Sequence, residues 1–211
     1  MELFDFTQQQ MIDFGVALVG AIVAITLAVW IVRYMRNTAQ DRRIAKIIKD
    51  QSEAYAKDII LSDGMYGYLF VDYLVLMKGK MIAMDVHHLA GYIFGAEQID
   101  EWAQVVNSKS HKFKNPLYRV RLMVQQIKQL VPEADVEAHV LFGNESSFPK
   151  GVPEGVMRFD TFREELGRLN KNDYLAQSMS KTWEELMAIA KQHKQQYLQE
   201  TQEAKVAAKA K

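Results

Sequence analysis

From Phe14 to Val32 the chain reads FGVALVGAIVAITLAVWIV, without one charged side chain. An apolar helix of about 20 residues spans a hydrocarbon core of roughly 30 Å, so this run predicts a transmembrane helix over 14–35. Trp30 and Tyr34 fall where an interfacial aromatic belt belongs. A cleaved signal peptide is the alternative, but its leading segment should be basic. Here Glu2, Asp5 and Asp13 precede the apolar run, and no Lys or Arg does. Gly15 and Gly20 have the wrong spacing for a GxxxG dimer motif, so no helix pairing is expected.

The pattern then changes. Arg42 to Ala56 carries Ile44, Ile47, Ile48 and Tyr55 among charges, the signature of a helix continuing from the membrane. A short strand over Asp58–Leu61 meets a turn at Ser62-Asp63-Gly64. Tyr68–Met77 (YLFVDYLVLM) is rich in β-branched and aromatic residues, Lys78-Gly79 breaks it, and Lys80–Val86 reads as the returning strand. Gly91–Phe94 and Trp102–Val106 have strand character, and His111–Asn115 reads as a basic loop. Pro116 opens a helix whose Leu117, Val120, Val124, Ile127 and Val131 form one apolar stripe. Val136, Ala138, Val140 and Phe142 alternate with Glu137 and His139, a strand. After a loop with Pro149, Gly151 and Pro153 come a short strand near Val156–Phe159 and a helix from Phe162 to Leu169. A long helix from Asp173 to about Glu200 follows, with Leu175, Met179, Trp183, Leu186 and Ala190 on one side. The low-complexity end, AKVAAKAK, is expected to fray.

Charge sets orientation. Arg33, Arg36, Arg42, Arg43, Lys46, Lys49 and Lys57 face only Asp41, Asp50 and Glu53, while the other flank has no basic residue. The positive-inside rule therefore puts residues 1–13 outside and the larger C-terminal part in the cytoplasm, at the inner or plasma membrane. The same cluster can touch anionic lipid head groups. Overall, 26 basic and 26 acidic residues balance, so no global field draws the chain to nucleic acid. The absence of cysteine excludes disulfides, thiolate zinc sites and thiol nucleophiles. No Walker loop, GxGxxG, HExxH or GxSxG occurs.

The chemistry-bearing stretch is Asp72–His88. With Lys78-Gly79 as a two-residue loop, residue 77 meets 80 and Asp72 meets Asp85 across the hairpin; His87 shares the Asp85 face. Two facing carboxylates repel, and Leu74, Leu76, Met81 and Ala83 make that face apolar. A hard divalent cation would offset the repulsion and could activate water. The bland alternative is an Asp72 at a solvated edge and an Asp85 ending its strand; a one-residue slip would part the pair.

Gly67, the strand Val71-Asp72-Tyr73-Leu74-Val75, Lys78-Gly79, Ile82-Ala83-Met84-Asp85, Gly91-Tyr92-Ile93-Phe94-Gly95, Glu101-Trp102 and Asn115-Pro116-Leu117 form an ordered series. It resembles the nuclease-related domain family, NERD, a branch of the PD-(D/E)XK nucleases. The resemblance implies an α/β fold of restriction-endonuclease type, a mixed sheet flanked by helices, over 58–170. Before it come the transmembrane helix and a basic juxtamembrane helix over 36–57; a C-terminal helix and tail over 171–211 follow. It also implies Mg or Mn at Asp72 and Asp85. His87 stands where the family has lysine, and Asp41, with Glu53 as second option, is the candidate third acid ahead of the sheet.

Lys109, Lys112, Lys114, Arg119, Arg121 and Lys128 form a basic stretch around the Pro116 helix start. Phosphate contact by Lys112, Lys114, Arg119 and Arg121, with the helix N-terminus receiving an anion, is one reading. A solvated face opposite the apolar stripe is the other. The function expected is a membrane-anchored, metal-dependent nuclease acting on DNA or RNA, with Asp72, Asp85 and His87 catalytic. The alternative is an inactive module binding nucleic acid or protein at the cytoplasmic membrane face. A protein partner on the C-terminal helix is a further possibility.

Overall fold

The structure, a computed structural model, describes residues 8–64, 67–169 and 179–209. It divides into two compact units, Met1–Arg43 and Ile44–Lys211. Helix α1 (Gln8–Gln51) makes up the described part of the first and enters the second. Among the described residues it is the one helix long and apolar enough to cross a membrane, with a mean hydropathy of 2.1 over its apolar window. None of that window is buried, whereas the core helix of a soluble protein would be mostly covered. Trp30 and Tyr34 stack with ring centroids 5.8 Å apart.

The second unit is a mixed α/β structure with two sheets rather than one. Strands β1 (Ala54–Ser62), β2 (Tyr68–Leu76), β3 (Met81–His87), β7 (Val136–Phe142) and β9 (Val156–Arg158) form a five-stranded sheet in the order β1-β2-β3-β7-β9. The β1–β2 and β2–β3 pairings are antiparallel, and the β3–β7 and β7–β9 pairings parallel. Strands β4 (Gly91–Phe94), β5 (Glu101–Val106), β6 (Lys109–Lys114) and β8 (Ser146–Ser147) form a smaller mixed sheet ordered β6-β5-β4-β8. Helix α2 (Pro116–Leu130) lies on β3 and β7, and α4 (Ser180–Lys209) on β1. Helix α3 (Phe162–Leu169) follows β9.

Alternation along the strands divides the core between the two faces of the larger sheet. Leu74, Leu76, Met81, Ala83, Val136, Val140 and Phe142 pack on one side with Leu117, Val120, Met123 and Ile127 of α2 and Leu186 and Ala190 of α4. Tyr73, Val75, Ile82, Met84 and Leu141 pack on the other with Ile44, Ile48, Phe162 and Leu166. The apolar stripe read from α2 is used as expected, except that Met123 is buried where Val124 is only partly covered.

Several boundaries differ from the sequence reading. Helix α1 ends at Gln51, not 57, because the Glu53 N–H already donates to the Leu76 carbonyl at 2.9 Å and Ala54 pairs with Leu76. The supposed basic loop is strand β6, joined to β5 by Asn107-Ser108, both with positive φ (48° and 61°). Such a pair matches the right-handed twist of a hairpin. The tail is helical to Lys209 rather than frayed. The start of the last helix at Asp173, with Leu175, lies outside the described residues.

A charged cluster at the start of β3 sets an acid limit. Lys80, only 8% exposed, donates from Nζ to Glu137 Oε1 at 2.9 Å, and His139 Nε2 stands 3.6 Å from the other oxygen. His139 and then Lys80 hold the Glu137 carboxyl at about 2, against burial, which raises it; its ordinary value is 4.5. A lowered folded pKa contributes stability that is complete above the unfolded pKa and lost as pH falls through the folded one. We therefore expect the gap in thermal midpoint between wild type and Glu137→Gln to close as pH falls from 4.5 towards 2. A gap that stays constant through that window would refute the assignment.

Candidate functional site

The β2–β3 hairpin takes the register that its two-residue loop requires. Met77 N–H donates to Lys80 O at 2.9 Å, and Leu76↔Met81, Leu74↔Ala83 and Tyr73↔Met84 are partners. Gly79 turns the chain with φ 80°, a conformation disfavoured for any residue with a Cβ. One step further in that register lie Asp72 and Asp85.

At that step the strand alternation breaks. Val71 faces the α2 side like Leu74 and Leu76, an odd spacing. Opposite on β1, Asp58 has φ 54°, and the pairing passes from Lys57↔Tyr73 to Ile59↔Val71. Aspartate tolerates this left-handed conformation better than most residues. The irregularity lets the Asp72 side chain turn along the sheet, where Oδ2 accepts the Val86 N–H at 2.6 Å. Burial first, and then the neighbouring Asp85 charge, push the Asp72 carboxyl above its ordinary value; the Val86 hydrogen bond, Arg119 and His87 oppose this.

Asp85 is 1% exposed, and both of its oxygens are engaged. Arg119 Nη1 of α2 lies 3.0 Å from Oδ1, and His87 Nε2 lies 2.9 Å from Oδ2. Arg119 also donates from Nη2 to the Phe70 carbonyl of β2 at 2.6 Å, so the guanidinium bridges two strands. The His87 ring stacks on Phe142, with centroids 5.3 Å apart.

Asp85 and His87 line a cleft of about 510 Å³ with Gln104, Lys112, Lys114 and Arg119. Lys112 and Lys114 come from β6, which is an edge strand of the smaller sheet. Lysines on an edge strand also keep it from pairing with another chain. Lys112 pairs with Glu101 at 3.1 Å, with both side chains well exposed. Arg121 is not among the cleft residues; it pairs with Glu97 at 2.7 Å.

The helix N-terminus does not offer an anion site. Pro116 has no N–H, Leu117 N–H is taken by Asn115 Oδ1 at 2.9 Å, and Tyr118 N–H reaches Asn115 O at 3.3 Å. Sequence reasoning missed the role of Asn115 as a cap, although Asn immediately before a helical Pro is its signal.

A family model described as the nuclease-related domain matches residues 36–143. The chain belongs to this family. The match covers both hairpin strands, the smaller sheet's β4–β6 and α2, and so includes Asp72, Asp85, His87 and the basic residues of β6. No curated protein and no solved structure matches the chain.

For a nuclease-related domain, a divalent metal is the group to test against these residues. Each Asp85 oxygen already has a nitrogen partner, and Asp72 is tied to a backbone N–H. Asp41 is not among the residues that line the cleft. Among the described residues, no three His, Asp or Glu side chains are grouped to hold one metal ion. As arranged, the side chains do not fit a carboxylate-bound Mg²⁺ or Mn²⁺, which would have to displace a guanidinium from the carboxylate that it neutralises.

Proposed function

We propose that this chain is a membrane-anchored module that binds nucleic-acid phosphodiesters in the cleft without metal-dependent cleavage. What supports the reading above all is the Asp85–Arg119 pair closing the carboxylate site beneath a basic rim. The rim lysines are free to approach phosphate oxygens, since an exposed pair such as Lys112–Glu101 holds its lysine only weakly. Tyr118 lines the same cleft, and its ring, with Arg121 over it at 5.5 Å from the centroid, is of the kind on which a base can stack.

Anchoring rests on the exposed apolar window of α1, and orientation on the basic residues that follow it, from Arg36 to Lys49, which would lie at the cytoplasmic leaflet near anionic head groups. Retention of the chain in membranes after alkaline carbonate washing, with the C-terminal part protected from protease added outside the cell, is the expected behaviour. A protein partner on α4 would need outward residues such as Leu198 and Val206, because Leu186 and Ala190 are committed to the core.

Binding is tested with the full chain in detergent micelles and labelled DNA and RNA oligonucleotides. Affinity should fall linearly on a logarithmic salt scale, and Lys112→Ala with Lys114→Ala should reduce the slope by roughly 1 for each phosphate that is no longer neutralised. An unchanged slope would remove these lysines from the interface.

Metal-dependent hydrolysis is the second reading, favoured by one observation. The half-buried Asp72 carboxyl is raised first by burial and also by the charge of Asp85, a repulsion that a cation would relieve. Cleavage of either nucleic acid that needs Mg²⁺ or Mn²⁺ and disappears in Asp85→Asn would establish it in place of the first.

A further inference from the structure

We propose that Arg119 is a built-in cation for the acidic hairpin, occupying the charge position that a divalent metal would otherwise take and keeping the site metal-free. The inference deepens the reading of the cleft as a phosphate-binding site, but it can be tested apart from it.

The guanidinium is fixed from two directions. One nitrogen meets Asp85 Oδ1 at 3.0 Å and another donates to the Phe70 carbonyl at 2.6 Å. Asp85 is almost fully covered, so its charge requires a partner within the fold. An arginine is charged at all accessible pH values and has five donors in a rigid fork. Two of those donors are used here. The side chain is 41% exposed, and it lines the cleft. Its remaining N–H groups can therefore serve a phosphodiester oxygen while the Asp85 contact is kept. In this arrangement the arginine neutralises the carboxylate and attracts the anion, the two electrostatic tasks of a bridging metal. It does not supply a metal-bound water.

His87 closes the other approach. It occupies Asp85 Oδ2 at 2.9 Å and is held flat against Phe142. A lysine in that position would bring a second permanent positive charge next to Arg119. An imidazole carries no permanent charge, which gives a physical reason for the arginine and the histidine to occur together.

The experiment is Mn²⁺ titration of the full chain in detergent, followed by electron paramagnetic resonance. Wild type should show no Mn²⁺ binding that depends on Asp85. Arg119→Gln, which removes the charge and releases Asp85 Oδ1, should bind Mn²⁺ on the order of tenfold more tightly or better, and the gain should vanish in Arg119→Gln/Asp85→Asn. Circular dichroism checks that each variant is folded. Wild-type Mn²⁺ binding that is lost in Asp85→Asn overturns the proposal, and so does a folded Arg119→Gln that gains nothing. If Arg119→Gln does not fold, the wild-type and Asp85→Asn pair still decides. Oligonucleotide binding is measured in parallel with EDTA and with Mn²⁺. Equal affinity in both is expected, and a requirement for Mn²⁺ overturns the proposal. A lack of oligonucleotide binding under every condition would defeat the phosphate reading of the cleft while leaving the metal titration valid.

Discussion

Trp102→Ala lowers the stability of the folded unit by about 3–5 kcal/mol, the usual cost of deleting a buried large aromatic side chain. Trp102 is fully buried on β5. Its ring stacks on Phe142 of β7 with centroids 6.2 Å apart and meets Phe113 of β6 edge-on at 6.1 Å, while Nε1–H donates to Ala96 O at 3.0 Å. The packing is close enough that a Cβ on Gly95 would come within 2.1 Å of the indole. With Ile93 and Phe113 it packs the smaller sheet against the larger, so its loss loosens the packing of the hairpin that carries Lys112 and Lys114. Thermal unfolding of the full chain in detergent should show a midpoint lower by on the order of 10 °C. Trp102→Phe should recover part of the difference. A midpoint within about 3 °C of wild type for the alanine variant would mean that the two sheets are held together elsewhere.

The second large effect is at Asn115, which is 2% exposed. Its amide does two separate jobs. Oδ1 caps α2 through the Leu117 N–H, and Nδ2 faces the carbonyls of Ala96, Glu97 and Ile99 at 3.3, 3.2 and 2.9 Å. Asn115→Ala removes the cap and the Nδ2 donor to the Glu97 and Ile99 carbonyls, while Ala96 O keeps the Trp102 indole N–H, together about 1–3 kcal/mol. Asn115→Asp separates the two roles. It keeps the capping oxygen but turns a carboxylate towards three carbonyl oxygens, and it should be at least as destabilising as alanine. An aspartate variant as stable as wild type would show that only the cap matters.

Much of the architecture could be read from residue patterns because side-chain periodicity and turn chemistry agree in those places. The Lys78-Gly79 loop fixed the hairpin register, since a glycine with positive φ permits a two-residue turn and nothing longer was needed. Pro116 marked the start of α2, and the alternation through Val136–Phe142 marked β7. Strand β6 was not legible. Its sequence KSHKFK has one partly buried side chain and no apolar alternation, and its turn uses Asn-Ser, a weaker signal than Asn-Gly. The early end of α1 was hidden because Ala54 and Tyr55 continue a plausible helix pattern, and pairing with β2 overrides it.

The candidate site was legible only in part. The two hairpin acids and His87 could be found from spacing, but the break in alternation at Asp58 and Asp72 could not. Arg119 carried no distinguishing signal. It sits beside Val120, at the border of the apolar stripe, and reads like the other basic residues of α2. Only the fold reveals that this arginine turns towards Asp85, whereas Arg121 pairs with Glu97.

The floor and rim of the cleft belong to different sheets, with Asp85 and His87 on β3 of the larger and Lys112 and Lys114 on β6 of the smaller. The acid–arginine pair is therefore stiff, held by a strand buried between two others, while the lysines ride on the outermost strand of a separate hairpin. On the binding reading proposed above, substitutions in the β5–β6 arm would alter the rim while the Asp85–Arg119 pair stays in place.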